Sequence, residues 1–224
     1  MIKRKLSEAD WFLLVANLLP VYGVWFLGWD ARQIFIVYCL ETIIIGLFTV
    51  VKLGIATWAR KQDWWENQGS RKLVHGSFFM IFFIFHYGLF VSVQMGIFFG
   101  VSSIGNSDMP GLLQLITHPH RYIGDNGWLL LSVFVLGYGY ENLSGFIFRN
   151  EYRTKSFMRI MFEPYMRIFV QQFTVILGGM MLAFGGGSVF ILLFAAAKIF
   201  FTVYVDYEGL LNKTIKRDAF SGKQ

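Results

Sequence analysis

Six long apolar runs, separated by short connections, constrain the fold of this chain more than any other feature. They lie near residues 9–28, 31–54, 73–99, 127–149, 164–185 and 187–208. Each is close to the ~20 residues that an α-helix needs to cross the hydrocarbon core of a bilayer. Only 15% of the 224 residues are charged, and 55% are hydrophobic. The sequence therefore predicts an all-α, polytopic membrane protein, with residues 1–224 forming a single bundle of six transmembrane helices.

The basic residues predict the orientation of this bundle. Lys and Arg concentrate at the N-terminus, in the connections 55–72 and 149–163, and in the C-terminal tail, whereas the opposite side has only Arg32 and Arg121. Because cytoplasmic loops are enriched in Lys and Arg, this alternation places both termini in the cytoplasm. It also accounts for the net charge of +6 without a nucleic-acid partner, since no soluble basic face is present to bind one. The partner that the pattern predicts is the lipid bilayer.

Several polar and ionisable side chains lie deep within these spans, and they are the candidate functional residues. A charge near the bilayer centre costs about 3 kcal/mol or more unless it is paired or hydrated, so such residues face protein or water. The second, third, fifth and sixth spans each place polar groups at a compatible depth, and helical spacing puts several of them on shared faces. We expect one buried polar binding site formed by Glu41, His86, Tyr87, Gln94, Gln171, Gln172 and Lys198.

A second polar group is expected nearer the cytoplasmic side, where it supports the first. Arg167 follows Glu163 by one helical turn and is expected to pair with an acid on a neighbouring helix, either Glu141 or Asp206. A static clamp between helices is the simpler interpretation of these charges. The residues of this supporting network are Glu141, Asn142, Glu163, Arg167 and Asp206.

The connection that precedes the fifth span has the pattern of an interfacial amphipathic segment. Between residues 150 and 163, basic residues alternate with Phe, Met and Ile. Such a segment either binds anionic lipid or lies on the membrane surface as a simple loop helix. Both interpretations place it at the cytoplasmic face.

Three functions remain open after the motifs are considered. Zinc-protease and serine-hydrolase signatures are absent from the sequence, no cofactor is indicated, and Lys198 argues against a metal beside Glu41 because an ammonium group repels a cation. Buried groups that titrate favour movement of a proton or small polar solute, with Glu41 and Lys198 as a switchable pair and His86 as the titrating group. A carrier of only six helices would act as a homo-oligomer or small channel. The alternatives are an intramembrane enzyme acting on a lipid or small amphiphile, and a membrane assembly or accessory protein.

Three short motifs resemble those of a known family. They are Phe85-His86-Tyr87-Gly88-Leu89-Phe90, Pro164-Tyr165-Met166-Arg167-Ile168 and Ile176-Leu177-Gly178-Gly179. They are similar to motifs of small bacterial multi-pass membrane proteins described only as a domain of unknown function. This resemblance implies a multi-pass topology in the bacterial inner membrane and implies no activity.

The same resemblance bears on metal binding. Its members often have a histidine where this chain has Gln172, and that histidine could complete a metal triad with Glu41 and His86 in those relatives. Because an amide replaces the imidazole here, the expectation for this chain is that no metal is bound.

Overall fold

The computed structural model describes residues 8–67, 70–102, 112–165, 168, 180–181, 184 and 186–204, and most of these are helical, as predicted. Helices and strands are numbered in chain order. The helices are α1 (Glu8–Phe26), α2 (Ala31–Arg60), α3 (Gly76–Ser102), α4 (Leu112–Thr117), α5 (Asp125–Leu143), α6 (Glu151–Thr154), α7 (residues 157–165) and α8 (Gly187–Tyr204). A short 3₁₀ turn at Pro119–Arg121 precedes α5. Most of the predicted fifth span, 164–185, lies outside the described residues.

Helix α2 is the central element of the structure. It begins at the cap residue Asp30, whose carboxylate accepts a 2.8 Å hydrogen bond from the backbone N–H of Arg32. It packs against α3, α5 and α8, while α1 packs against α5 and α8. The core between these helices contains fully buried large side chains such as Phe35, Tyr38 and Phe134. A carboxylate on the inner face of α2 is therefore enclosed by protein on several sides.

Two stretches among the described residues are long and apolar enough to cross a membrane. They are α2 and the first 22 residues of α3, Gly76–Ile97. Of the most apolar stretch of each helix, 61% is buried in protein in α2 and 28% in α3. Helix α1 contributes a shorter apolar stretch, Leu14–Phe26.

A β-hairpin separates α2 from α3, and the all-helical prediction is wrong for this segment. Strands β1 (Gln62–Asn67) and β2 (Ser70–His75) pair antiparallel where the sequence suggested a loop across 55–72 and a span starting at 73. The register pairs Trp64 with Leu73, and bulky side chains of this kind favour strands. Lys61, with a φ of 63°, turns the chain out of α2, and its carbonyl accepts a 2.8 Å hydrogen bond from Gly76 at the start of α3. This hydrogen bond joins the end of α2 to the start of α3 at the base of the hairpin.

Helix α5 ends differently from the predicted fourth span, 127–149. The α-helical part stops at Leu143, and Ser144–Phe148 continue as a π-helical turn. A π turn bonds residues five apart instead of four and widens the helix locally. Asn150 then adopts a left-handed conformation, with a φ of 55°, where the chain turns into α6.

The predicted interfacial segment, 150–163, packs its apolar side chains into the protein core. Phe157, Ile160 and Met161 are fully buried in the first turns of α7. The hairpin fixes the start of this helix, because Oδ2 of Asp63 accepts a 2.8 Å hydrogen bond from the backbone N–H of Phe157. The guanidinium of Arg60 lies 4.5 Å from the centre of the Phe157 ring. The apolar side of this segment is therefore occupied by protein contacts.

Candidate functional site

Glu41 is fully buried in the middle of α2 and forms the centre of the candidate site. The hydroxyl of Tyr138 on α5 donates a 2.6 Å hydrogen bond to Glu41 Oε1. One turn before Glu41 on α2, Tyr38 packs against Phe134, with ring centres 5.9 Å apart. A charged carboxylate in such surroundings needs hydrogen-bond partners, because burying an unpaired charge costs on the order of several kcal/mol. Tyr138 is therefore a functional candidate that the sequence did not indicate.

A polar cavity lies beside this pair, toward the C-terminal half of α2. It has a volume of about 40 Å³ and is lined by Ile45, Thr49, Lys52, Tyr138, Asn142, Glu163 and Pro164. Thr49 and Lys52 lie two and three turns after Glu41 on one face of α2. Since one water needs about 10–15 Å³ of accessible volume, the cavity has room for a few water molecules and excludes larger solutes.

A cluster of charges borders the cavity at the Lys52 end. Glu163 accepts hydrogen bonds from Lys52 at 3.2 Å and from Lys155 at 2.9 Å, and Lys155 also lies 3.5 Å from Glu151. The Lys52 and Glu163 side chains are 14% and 27% exposed, so this cluster lies at the margin of the protein interior. The sequence placed Glu163 in the supporting network but did not predict its lysine partners. The signal for Lys52 was present, because it falls on the same face of α2 as Glu41.

His86 and Tyr87 occupy different surroundings, although they are adjacent in α3. His86 is exposed, its Nδ1 lies 2.7 Å from the hydroxyl of Tyr165, and its ring stacks on Phe82. Tyr87 is buried and donates a 2.6 Å hydrogen bond to the backbone carbonyl of Thr42 on α2. Successive residues of a helix point about 100° apart, which explains the difference. The structure thus gives His86 and Glu41 separate sets of contacts.

The remaining predicted residues fall into two groups. Gln94 is buried on α3, and its Oε1 has no hydrogen-bond partner among the described residues. Asn142 lines the cavity and donates a 2.6 Å hydrogen bond to the carbonyl of Tyr138. Outside the described residues lie Gln171, Gln172, Arg167 and Asp206, together with the side chains of Glu141 and Lys198. The predicted pairing of Arg167 and the shared site with Lys198 therefore stay predictions.

Metal ligation finds no support in the residues that the structure describes. Among them, no group of three or more His, Cys, Asp or Glu side chains is arranged to hold a metal ion. His118 and His120 have ring centres 6.0 Å apart, and the Nδ1 atom of His118 lies 2.9 Å from the Thr117 hydroxyl. The site is best described as a buried carboxylate joined to a small polar cavity.

These features define a mostly helical protein with two candidate membrane helices and a buried acidic site. The chain belongs to the Family of unknown function (DUF6498), whose family model matches residues 2–219. This match confirms the predicted membership in a family of unknown function. None of the curated proteins and none of the solved structures matches the chain.

Proposed function

We propose that this protein is a six-span, multi-pass protein of a bacterial inner membrane, with both termini in the cytoplasm, and that it moves protons along a polar path through Glu41. The exposed apolar surface of α3 supports placement in lipid, because Phe85 and Leu89 are largely exposed on a helix long enough to cross. Large exposed apolar surfaces are uncommon on soluble monomers and mark contact with lipid or partners. The alternation of basic connections supports the orientation.

The observation that carries the proposed function is the cavity beside Tyr138. Tyr138 lines this cavity and also donates a hydrogen bond to Glu41, so one residue joins the buried carboxylate to a water-sized space. The Lys52–Glu163 pair, at the margin of the interior, borders the same space. A proton can follow such a chain of groups, whereas a volume of about 40 Å³ is too small for most polar solutes.

The proton transfer that we propose ends in an observed hydrogen bond, from the Tyr138 hydroxyl to Glu41. A hydronium ion that reaches the cavity gives its extra proton to the Tyr138 oxygen while the original Tyr138 hydroxyl proton moves to the Glu41 carboxylate. A neutral water remains in the cavity, the tyrosine is neutral before and after the step, and Glu41 becomes neutral. Glu41 then releases the proton toward the other face of the membrane. Its protonation state is the switch in this scheme, and Glu41 takes the titrating role that the sequence suggested for His86.

The outer half of the proposed path is supported by buried polar atoms. Thr42 Oγ1 and Gln94 Oε1 are buried and have no hydrogen-bond partner among the described residues. Buried polar atoms of this kind are commonly satisfied by ordered water. We propose that these groups continue the path outward together with three predicted site residues, Gln171, Gln172 and Lys198.

The lining of a groove between α2 and α3 favours proton movement over lipid chemistry. This groove has a volume of about 250 Å³ and opens beside Gly46, Tyr87, Gly88 and Ser92. Among the residues that the structure describes, no acid or imidazole lines this groove, and an enzyme acting on a lipid there would need such a general base. The accessory-protein alternative makes a different prediction, in which Glu41 affects stability alone.

Proton flux in reconstituted vesicles tests the proposal. The purified protein is placed in vesicles loaded with a pH-sensitive dye, and a potassium diffusion potential drives protons inward. Wild-type vesicles should acidify faster than protein-free vesicles, Glu41→Gln should reduce the added flux at least about tenfold, and Tyr138→Phe should give an intermediate rate. The matched control is Asp125→Asn, which removes an exposed carboxylate at the start of α5 and should keep the wild-type rate.

Two results would refute proton movement. One is a wild-type flux equal to that of protein-free vesicles, and the other is a Glu41→Gln flux equal to that of wild type. If either occurs while Glu41→Gln changes the unfolding temperature, the accessory-protein alternative is favoured.

A further inference from the structure

Lys52 lines the polar cavity and is held there by two contacts. Its Nζ atom lies 3.2 Å from Glu163 Oε2 and 5.7 Å from the centre of the Phe146 ring. An ammonium group is attracted both by a carboxylate and by the face of an aromatic ring. Lys52 therefore brings a fixed positive charge to a cavity of about 40 Å³.

Three other polar side chains that line the cavity supply oxygen atoms. They are the Glu163 carboxylate, the Thr49 hydroxyl and the Asn142 amide. The Thr49 hydroxyl donates a hydrogen bond to the Ile45 carbonyl, and the Asn142 amide nitrogen donates one to the Tyr138 carbonyl, so both side-chain oxygens remain acceptors. Hard cations bind to carboxylate, amide and hydroxyl oxygens. This lining would suit a small metal cation if no ammonium group bordered it.

The charges of the cluster balance only while Lys52 is present. Among the described side chains, Lys52 pairs with Glu163, and Lys155 pairs with both Glu163 and Glu151. Without Lys52, one ammonium group would be shared by two carboxylates, which leaves one net negative charge beside the cavity. A partly buried carboxylate that loses its partner is costly, so it would attract another cation.

We propose that Lys52 is a specificity-determining residue of the polar cavity, because its ammonium group takes the place beside Glu163 that a sodium ion would otherwise occupy. A fixed positive charge at a narrow point is an electrostatic barrier to Na⁺ and K⁺. A proton is not excluded in this way, since Glu163 and the cavity waters can pass it on by exchanging hydrogen bonds, without an ion displacing the ammonium group. The role in selectivity rests on the proposed proton path, but sodium binding is measured independently of it.

Sodium-dependent stability of the purified full-length protein in detergent tests this assignment. Thermal unfolding is compared in sodium chloride and in choline chloride at equal concentration, for wild type and for Lys52→Met, which removes the charge and keeps an unbranched side chain. About 100 mM sodium should raise the unfolding temperature of Lys52→Met by about 3 °C or more, as for a dissociation constant of roughly 10 mM. The unfolding temperature of wild type should differ by less than about 1 °C between the two salts.

Two further variants show whether the effect belongs to the cavity. Lys155 also pairs with Glu163, at 2.9 Å, but does not line the cavity in the part of the chain that the structure describes. Lys155→Met is therefore the matched control, and sodium should affect it as little as it affects wild type. The double variant Lys52→Met/Glu163→Gln should lose the sodium effect, because the carboxylate that binds the ion is gone.

Four outcomes would overturn the proposal. They are an unfolding temperature of Lys52→Met that does not respond to sodium, an equal response of wild type, an equal response of Lys155→Met, and a response that persists in the double variant. If Lys52→Met does not fold, Lys52→Gln replaces it with the same expectations. If neither folds, proton flux through wild type is measured in both salts; equal flux supports exclusion of sodium, and inhibition by sodium refutes it.

The sodium result can be separated from the proton result. A sodium response of Lys52→Met without any wild-type proton flux would support Lys52 as the group that excludes the cation and would refute the proton path alone. A wild-type proton flux without a sodium response of Lys52→Met would support the path and refute the role of Lys52.

Discussion

Replacement of Tyr138 by Phe should destabilise the protein by an amount that depends on Glu41. The substitution keeps the ring in contact with Phe134 but removes the hydroxyl that lies 2.6 Å from Glu41 Oε1. The proposed proton step begins with an ionised Glu41, and a hydrogen bond to an ionised carboxylate is stronger than one between neutral groups. Such bonds contribute about 1.5–3 kcal/mol net, compared with about 0.5–1.5 kcal/mol for neutral ones.

A double-mutant cycle measures how much the contribution of the Tyr138 hydroxyl depends on Glu41. Unfolding of the four proteins is followed in mixed micelles as a function of denaturing detergent. Tyr138→Phe should lower the free energy of unfolding by about 1.5–3 kcal/mol in the wild-type protein and by about 0.5–1.5 kcal/mol in the Glu41→Gln background. The control is Tyr22→Phe, which removes an exposed hydroxyl on α1 and should change stability by less than about 0.5 kcal/mol.

Equal effects of Tyr138→Phe in the two backgrounds would contradict the coupling between Tyr138 and Glu41. If Tyr138→Phe costs the same in both backgrounds to within about 0.5 kcal/mol, the two groups are not coupled. The hydroxyl would then contribute nothing specific to the carboxylate, and the proposed proton step between them would lose its geometric basis.

Two further substitutions test the packing around the site. Gly46→Ala should lower the free energy of unfolding by about 1–3 kcal/mol, because the added Cβ would overlap the Tyr87 ring. Unchanged stability would contradict this close contact between α2 and α3. Asp63→Ala should speed amide hydrogen exchange in the first turn of α7 and lower the free energy of unfolding by about 1–2 kcal/mol, because it removes the acceptor for the Phe157 N–H. Exchange at the wild-type rate would show that this cap is dispensable.

Much of the helical framework could be predicted from apolar runs, since the long helices begin within a few residues of the predicted spans. The hairpin could not be predicted in this way. Tryptophans such as Trp64 and Trp65 are favourable both at a membrane interface and on a short strand, so these residues alone do not distinguish the two structures. Their opposite environments, one exposed and one packed against three Phe rings, show the alternation of a strand.

The candidate site was predictable only in part. Helical spacing correctly places Glu41 and Lys52 on one face of α2, because that relation depends on a single helix. Contacts with Tyr138 and Glu163 depend on how separate helices rotate against each other, and sequence spacing does not contain that information. His86 and Tyr87 differ for another reason: they are adjacent in α3 and point about 100° apart, so they contact different neighbours.

The π turn at Ser144–Phe148 has a consequence for how chain length can vary in this family. A π turn holds one residue more than the corresponding α-helical turn, so it is equivalent to a single-residue insertion in the helix. Relatives one residue shorter at this point can form an uninterrupted α-helix. Because the five residues of a π turn cover about the same rotation as four α-helical residues, the residues before the turn, including Tyr138, and the chain that follows it would keep their rotational positions.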